Sequence, residues 1–262
     1  MRVAIVGGGV MGEAILGAAL DRRVFVAPEV TVIEKLESRR DQLYARYGVH
    51  VSETFEAMAE AGLVLLSVKP QEMRSVAGKL REDALLLSIM AGVTIEALRS
   101  EFQHNRIVRA MPNTPAAVKA GMSAWTATAE VTEEQRDFTR NLLGAIGREL
   151  YVDDEKKIDM VTAVSGSGPA YVFLFIEAMV EGAVAVGLPR AAAEELVLQT
   201  LYGSALYAQE SGRSPADLRA AVTSPAGTTA AGLLELEKGA FRAAVIECVR
   251  AAHQRAVELG KA

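Results

Sequence analysis

The stretch VAIVGGGVMG, residues 3–12, decides how the rest of the chain is read. Four apolar residues with β-branched character run into Gly7, Gly9 and Gly12, which have G-x-G-x-x-G spacing, and the helical pattern EAILGAAL follows at once. In a strand–turn–helix setting each glycine has a task. The first permits the tight turn, the second lets a pyrophosphate approach the backbone, and the third lets the helix pack on the strand. The helix N-terminus then attracts the phosphates. Gly7, Gly8, Gly9, Val10, Met11 and Gly12 are therefore read as a dinucleotide-binding turn.

Outward from this turn, β-rich runs at residues 2–6, 30–34, 63–68, 85–89, 106–110 and 123–127 alternate with helical patterns. This is the βαβ signature of an α/β protein. A further helix is predicted from Glu133, where Thr132 and Gln135 have capping-box spacing, followed by a strand at 149–152. Beyond Asp153 the strand signals stop. The chain becomes alanine-rich with helical periodicity, broken at 166–169, 187–189, 212–215 and 224–227, and each break places a proline where a first helical turn can begin. The expected architecture is α/β: an N-terminal Rossmann-like doubly wound sheet domain over residues 1–155 and a C-terminal all-helical domain over 156–262.

Of the 262 residues half are hydrophobic, which is enough for a substantial core, and the 28 basic and 33 acidic side chains leave a formal charge of -5. The charges are interspersed, so there is no footprint for nucleic acid or an anionic membrane, and a small molecule is the default ligand. The single cysteine, Cys248, fits a reducing compartment. The chain opens directly on strand and glycine turn, with no targeting pattern, so a cytoplasmic location is expected. The most apolar stretch, residues 172–188, is interrupted by Glu177 and Glu181 and reads as a buried helix, with a subunit interface as one place for it, rather than a membrane span.

Glu34 ends the second predicted strand, 22 residues after Gly12, where an acidic side chain accepts hydrogen bonds from the adenosine ribose hydroxyls of NAD. Lys35, Arg39 and Arg40 follow immediately and offer charge for the extra phosphate of NADP. At this level both NADH and NADPH stay open.

Five further segments are unusual for a generic dinucleotide-binding chain: SVKPQ at 67–71, MAGVTI at 90–95, RAMPNTP at 109–115, AVSGSGPAY at 163–171 and TSPAGTTAAGL at 223–233. In this order and spacing the chain resembles pyrroline-5-carboxylate reductase along its whole length. The first three segments sit at or just past strand carboxyl ends, the edge at which open α/β sheets bind ligands. The resemblance implies that Val68, Lys69 and Pro70 flank the ribose and nicotinamide, that Ala91 contacts the nicotinamide region, and that Met111, Pro112 and Asn113 hold the nicotinamide end. It also implies that Thr54 lies near the adenine. SGSGPAY opens a long helix with small residues, among them Ser167, so that backbone N–H groups can face a ligand. In TSPAGTT, Ser224 is an N-cap candidate, and Thr228 and Thr229 stand at the following helix start. The resemblance assigns Ser224 and the backbone around Thr228 and Thr229 to a substrate carboxylate, and the Thr229 hydroxyl to the ring nitrogen. It further implies a homodimer through the helical domain, admitting larger oligomers of dimers, with an active site between one chain's cofactor domain and its partner's helices. One residue departs from the pattern. The family commonly reads SPGG where this chain has Ala226, and φ below zero is expected there, because a positive φ costs alanine about 1 kcal/mol or more.

Hydride delivery to a cyclic imine is chemistry the cofactor supplies, and an imine is basic enough to arrive protonated, so the protein mainly orients two rings. His50, His104 and His253 lie outside every segment above and are read as surface or structural residues; no metal site is expected. Two other readings stand beside this one: another NAD(P)-dependent reductase of the same two-domain design, or a non-catalytic cofactor sensor. A hydroxyacid dehydrogenase is disfavoured, since residues 169–175 contain no lysine to serve as its base.

Overall fold

The computed structural model describes residues 1–260. Eight strands form one sheet: β1 (Val3–Val6), β2 (Val30–Ile33), β3 (His50–Ser52), β4 (Leu63–Leu66), β5 (Leu85–Ser88), β6 (Ile107–Met111), β7 (Gly121–Ala127) and β8 (Gly147–Tyr151). The helices are α1 (Val10–Asp21), α2 (Glu37–Tyr47), α3 (Ile95–Phe102), α4 (Glu133–Ala145), α5 (Lys156–Val161), α6 (Gly168–Ala185), α7 (Arg190–Ser211), α8 (Pro215–Ala221), α9 (Thr228–Lys238) and α10 (Phe241–Leu259).

The sheet order is β3-β2-β1-β4-β5-β6-β7-β8, parallel from β3 through β6, with β7 antiparallel to β6 and β8 parallel to β7. A parallel sheet must be covered on both faces, and its central strands are accordingly apolar apart from Ser88 of β5 and Arg109 of β6. All four residues of β1, β4 and β5 are buried. Val3, Ile5, Leu63 and Leu65 enter one core cluster, while Ala4, Val6, Val64 and Leu66 enter the other. Each such Leu or Ile stabilises the fold by roughly 1.5–3 kcal/mol relative to exposure. The middle of the sheet is thereby buried on both faces, and the loops that follow β1, β4 and β5 start from its carboxyl ends.

All seven predicted strands are present. β3 was not predicted, and the reason is physical. His50, Val51 and Ser52 carry no long β run, and the strand exists through its register with Thr31, Val32 and Ile33 of β2. The capping box at the start of α4 is formed: Thr132 Oγ1 accepts from Gln135 N–H at 3.2 Å, and Gln135 Oε1 accepts from Thr132 N–H at 3.1 Å. His104 is buried, with Nε2 2.7 Å from the Ala84 carbonyl, a structural role.

The chain divides into two compact units, residues 1–169 with 251–262, and residues 170–250. The division falls inside α6, and α5 lies with the sheet. Arg109 of β6, 2% exposed, donates to Glu155 at 2.9 Å and to Asp159 of α5 at 2.8 Å. Residues 162–166 between α5 and α6 form a π-helical turn, in which Ser167 N–H reaches back to the Thr162 carbonyl at 2.8 Å.

The second unit contains helices alone. The expectation that residues 172–188 form a buried helix is not met within one chain: Val180 is the one buried residue of α6, and Leu174 is 67% exposed. Helical residues 156–185 together are long and apolar enough to cross a membrane by length and composition. Only a small cluster, Val180, Ala193 and Val197, forms where α6 meets α7. The polar interruptions at Glu177 and Glu181 restrict the apolar surface without supplying a partner for it.

Candidate active site

The glycine turn follows β1 and opens α1. Gly7 has φ +101°, and a Cβ there would lie 2.9 Å from Ser67 backbone atoms. At Gly12 a Cβ would fall 2.3 Å from the Gly7 carbonyl oxygen, so this residue is what allows α1 to pack on the turn. Gly9 differs from both. A Cβ there meets nothing within 4 Å, and its φ of -69° is open to any residue. The fold does not need glycine at this position, whereas a ligand approaching the backbone does. No side chain caps α1, and Val10 at its first turn is 74% exposed, so the N–H groups of the helix start stay available to phosphate oxygens. On this geometry the turn fits a dinucleotide.

Two groups outside the predicted set hold the turn. Ser67 Oγ lies 2.7 Å from the Gly7 carbonyl and 3.0 Å from that of Val6, tying the end of β4 to the turn. Arg39 of α2 donates from Nε to the Gly8 carbonyl at 2.8 Å, and its Nη2 donates to Glu13 of α1. Glu13 also accepts from Arg46 at 2.9 Å and from Tyr47 at 3.0 Å. Partial burial would raise the Glu13 carboxyl, but the hydrogen bonds from Arg39 and Tyr47 and the charges of Arg39 and Arg46 outweigh it and hold the group below its ordinary 4.5. Such contacts between α1 and α2 join residues more than twenty positions apart and carry no local sequence signal.

Glu34 lies directly beyond β2. Its Oε2 accepts from Gly8 N–H at 2.9 Å and its Oε1 from Leu36 N–H at 3.1 Å, which fixes the carboxylate at the mouth of the turn. It lines a cavity of about 170 Å³ together with Gly7, Gly9, Val68 and Lys69. Thr54 is exposed just past β3, its N–H held by Ser52 Oγ at 3.0 Å. Pro70 opens a short 3-10 helix behind Lys69. Ala91 precedes Gly92, whose φ is +75° and at which a Cβ would stand 3.0 Å from Cβ of Leu259 in α10. The MAGV loop is therefore backed by the last turn of the chain's final helix. Met111 ends β6, Pro112 is buried, and both ends of the Asn113 amide are engaged: Nδ2 donates to the Ser165 carbonyl at 3.0 Å, and Oδ1 accepts from Met122 N–H at 2.8 Å. Asn113 thus ties the end of β6 to the π-helical turn before Ser167.

In the helical unit the segment TSPAGTT forms a turn before α9, and two expectations are corrected. Ser224 is not the N-cap; Gly227 is, because α9 begins at Thr228. Ala226 has φ +57°, not a negative value. In the tight turn that brings Gly227 N–H to the Ser224 carbonyl at 3.1 Å, Ala226 stands at the third position in the left-handed conformation typical of a type II turn, despite its Cβ. Gly227 has no side chain with which to cap the helix, and its carbonyl accepts from Ala231 N–H at 3.2 Å. The N–H groups of Thr228 and Thr229 and both hydroxyls therefore gather at one exposed helix start. A Cβ at Gly227 would fall 2.4 Å from Ser224 Oγ, so the glycine also keeps that hydroxyl beside the helix start.

Comparison with known proteins bears on the whole chain. It is 45% identical over 265 aligned positions to the pyrroline-5-carboxylate reductase of Synechocystis sp., covering 100% of this chain and 99% of that one. The chain belongs to the pyrroline-5-carboxylate reductase family. The family model for the pyrroline-5-carboxylate reductase dimerisation region matches residues 155–259, and a model described as NADP oxidoreductase coenzyme F420-dependent matches 2–92. Among solved structures, the pyrroline-5-carboxylate reductase of Coxiella burnetii superimposes with a TM-score of 0.88 at 34% identity, over 100% of this chain and 99% of that one. The enzyme of Plasmodium falciparum, solved with NADP bound, gives 0.88 at 27% identity, over 99% and 98%. The resemblance carried by the five segments and the expected α/β architecture with a helical second part are thereby upheld.

Proposed function

We propose that this chain reduces the C=N bond of 1-pyrroline-5-carboxylate to L-proline with a nicotinamide cofactor, NADH or NADPH. Full-length identity to reductases of that name is the observation that carries the reading, and the open backbone at Gly9 and the uncapped start of α9 are the local features that fit it. The bound cofactor supplies the hydride. The residues of the chain bind and orient. Gly7 to Gly12 receive the pyrophosphate, and Glu34 and Thr54 the adenosine side. Val68, Lys69, Pro70, Ala91, Met111, Pro112 and Asn113 form the ribose and nicotinamide end. Ser224 and the N–H groups of Thr228 and Thr229 take the substrate carboxylate, with Ser167 near the same ligand, and the Thr229 hydroxyl holds the ring nitrogen and its proton. No histidine is assigned to the chemistry.

The working form is a homodimer built through residues 156–262, in which the partner's helices complete the site. The breadth of exposed apolar surface on α6 and α7 supports this. A cytoplasmic location accords with a single free cysteine. The decisive assay follows the absorbance of reduced cofactor with and without pyrroline-5-carboxylate. Consumption only in the presence of the imine, with proline as product, is expected; binding without consumption would make the protein a cofactor sensor instead.

A further inference from the structure

We propose that Glu34 makes this enzyme selective for NADH over NADPH, an inference that rests on the reductase reading above. The fold places the adenosine ribose of a bound dinucleotide at the carboxyl end of β2. There the Glu34 carboxylate is held by two backbone donors, Gly8 N–H at 2.9 Å and Leu36 N–H at 3.1 Å. An ionised carboxylate has about four acceptor positions, so each oxygen keeps capacity for a ribose hydroxyl. A hydroxyl at the 2′ position donates to it. A phosphate at the same position has no proton for it to accept at neutral pH and sets negative charge against negative charge. Because both backbone bonds would have to break for the side chain to swing aside, it does not yield the space freely.

The basic side chains that could offset this repulsion are already committed. Lys35 Nζ is 3.2 Å from Glu72 and 3.5 Å from Ser75 Oγ. Arg39 spends Nε on the Gly8 carbonyl, Nη1 on Gln42 at 3.0 Å and Nη2 on Glu13. Arg40, whose side chain is 16% exposed, donates from Nη1 to the carbonyls of Glu34 at 2.8 Å and Lys35 at 2.9 Å, and from Nη2 to Glu53 at 3.4 Å. None of the three presents a free fork of donors of the kind that binds phosphate. The cavity that opens beside Glu34 adds two more carboxylates, Glu53 and Glu72, against Lys35 and Lys69. Lys69 reaches this cavity from the loop after β4, on the far side of β1 from β2, and faces Glu72 of its own 3-10 helix. The dense run of positive charge after Glu34 thus braces the turn and the strand end and leaves the carboxylate to select.

The test is a set of binding titrations on the intact protein, followed by turnover. NADH and NADPH are titrated by nicotinamide fluorescence, and ADP-ribose and its 2′-phosphorylated form by calorimetry. The unphosphorylated member of each pair is expected to bind at least tenfold more tightly. Glu34→Ser should lower that ratio at least tenfold, and Glu34→Gln, which keeps the shape and removes the charge, should lower it part of the way. Equal or tighter binding of the phosphorylated ligands by the unaltered protein overturns the proposal whatever the variants do. So does a ratio that neither substitution changes. If NADH binds selectively but is not consumed with pyrroline-5-carboxylate, the reductase reading fails and the selectivity stands. If the imine is reduced and NADPH is the tighter ligand, the selectivity alone fails, and failure of both cofactors to bind removes both.

Discussion

Gly7, Gly9 and Gly12 share one spacing but answer to different demands. Gly7 and Gly12 are required by the fold, since a Cβ at either would meet backbone within 3 Å, whereas a Cβ at Gly9 enters open space. Gly9→Val should therefore still fold and lose cofactor binding, which fluorescence titration reads directly; retained affinity would remove the turn from the site. Thr229→Ala deletes a hydroxyl and leaves the helix-start N–H groups in place. Turnover should fall roughly 10- to 1,000-fold with little change in cofactor affinity, the scale of one proton-handling or orienting group. Steady-state kinetics with Thr229→Ser as the restoring variant checks it. In the same turn Ala226 sits at φ +57°. Ala226→Gly relieves a left-handed alanine and, net of glycine's greater freedom in the unfolded chain, should stabilise the protein by about 0.5–1 kcal/mol, measured by denaturant unfolding.

Between elements, the α1–α2 contact is one whose charge state bears on stability. Glu13 receives Arg39, Arg46 and Tyr47 and is held below its ordinary 4.5 in the folded protein. A carboxyl with a depressed folded value contributes its stability fully above the unfolded value, and that contribution is lost as the pH falls through the folded one. Unaltered protein should therefore melt higher than Glu13→Gln at pH 7, and the two melting temperatures should converge as the pH is lowered below 4.5. Thermal unfolding across pH 3 to 7 tests this, and a gap that persists at the acid end would mean that packing rather than charge holds the two helices. Arg39 belongs to this contact as much as to the cofactor turn, because its Nε carries the Gly8 carbonyl. The consequence is that acid should loosen the dinucleotide turn together with the α1–α2 contact.

For the molecule as a whole, the distribution of burial separates the two units. The sheet carries two extended core clusters, while the helical unit leaves Phe173, Leu174, Leu196, Leu198 and Tyr202 more than half exposed. Surface of that extent on one unit calls for a partner, and a second copy of the chain supplies an identical apolar face. Light scattering at micromolar concentration should give a mass of at least twice the 27.9 kDa of one chain. Leu174→Glu together with Leu198→Glu should shift the protein toward monomer; a monomeric mass for the unaltered protein would contradict the assembly.

The amino-acid sequence by itself determined what depends on local pattern. The seven predicted strands, the α4 capping box, the glycine turn and the break from alternating elements to helices alone were all legible, because each rests on periodicity or on residues within a few positions of one another. The five family segments were legible as well, since they are contiguous. Only the tertiary structure decided the rest. β3 exists through pairing with β2, Asn113 turned out to be tied to Met122 and Ser165, and the burial expected of residues 172–188 was not found within one chain. Lys35, Arg39 and Arg40 are the sharpest case. In the sequence they are positive charges beside an acidic strand end and leave both cofactors open; in the folded protein their donors are taken up by Gly8, Glu13, Glu53 and Glu72, and by the carbonyls of Glu34 and Lys35. A side chain's type states what it can bind, but which partner it binds depends on groups brought to it from distant positions in the chain.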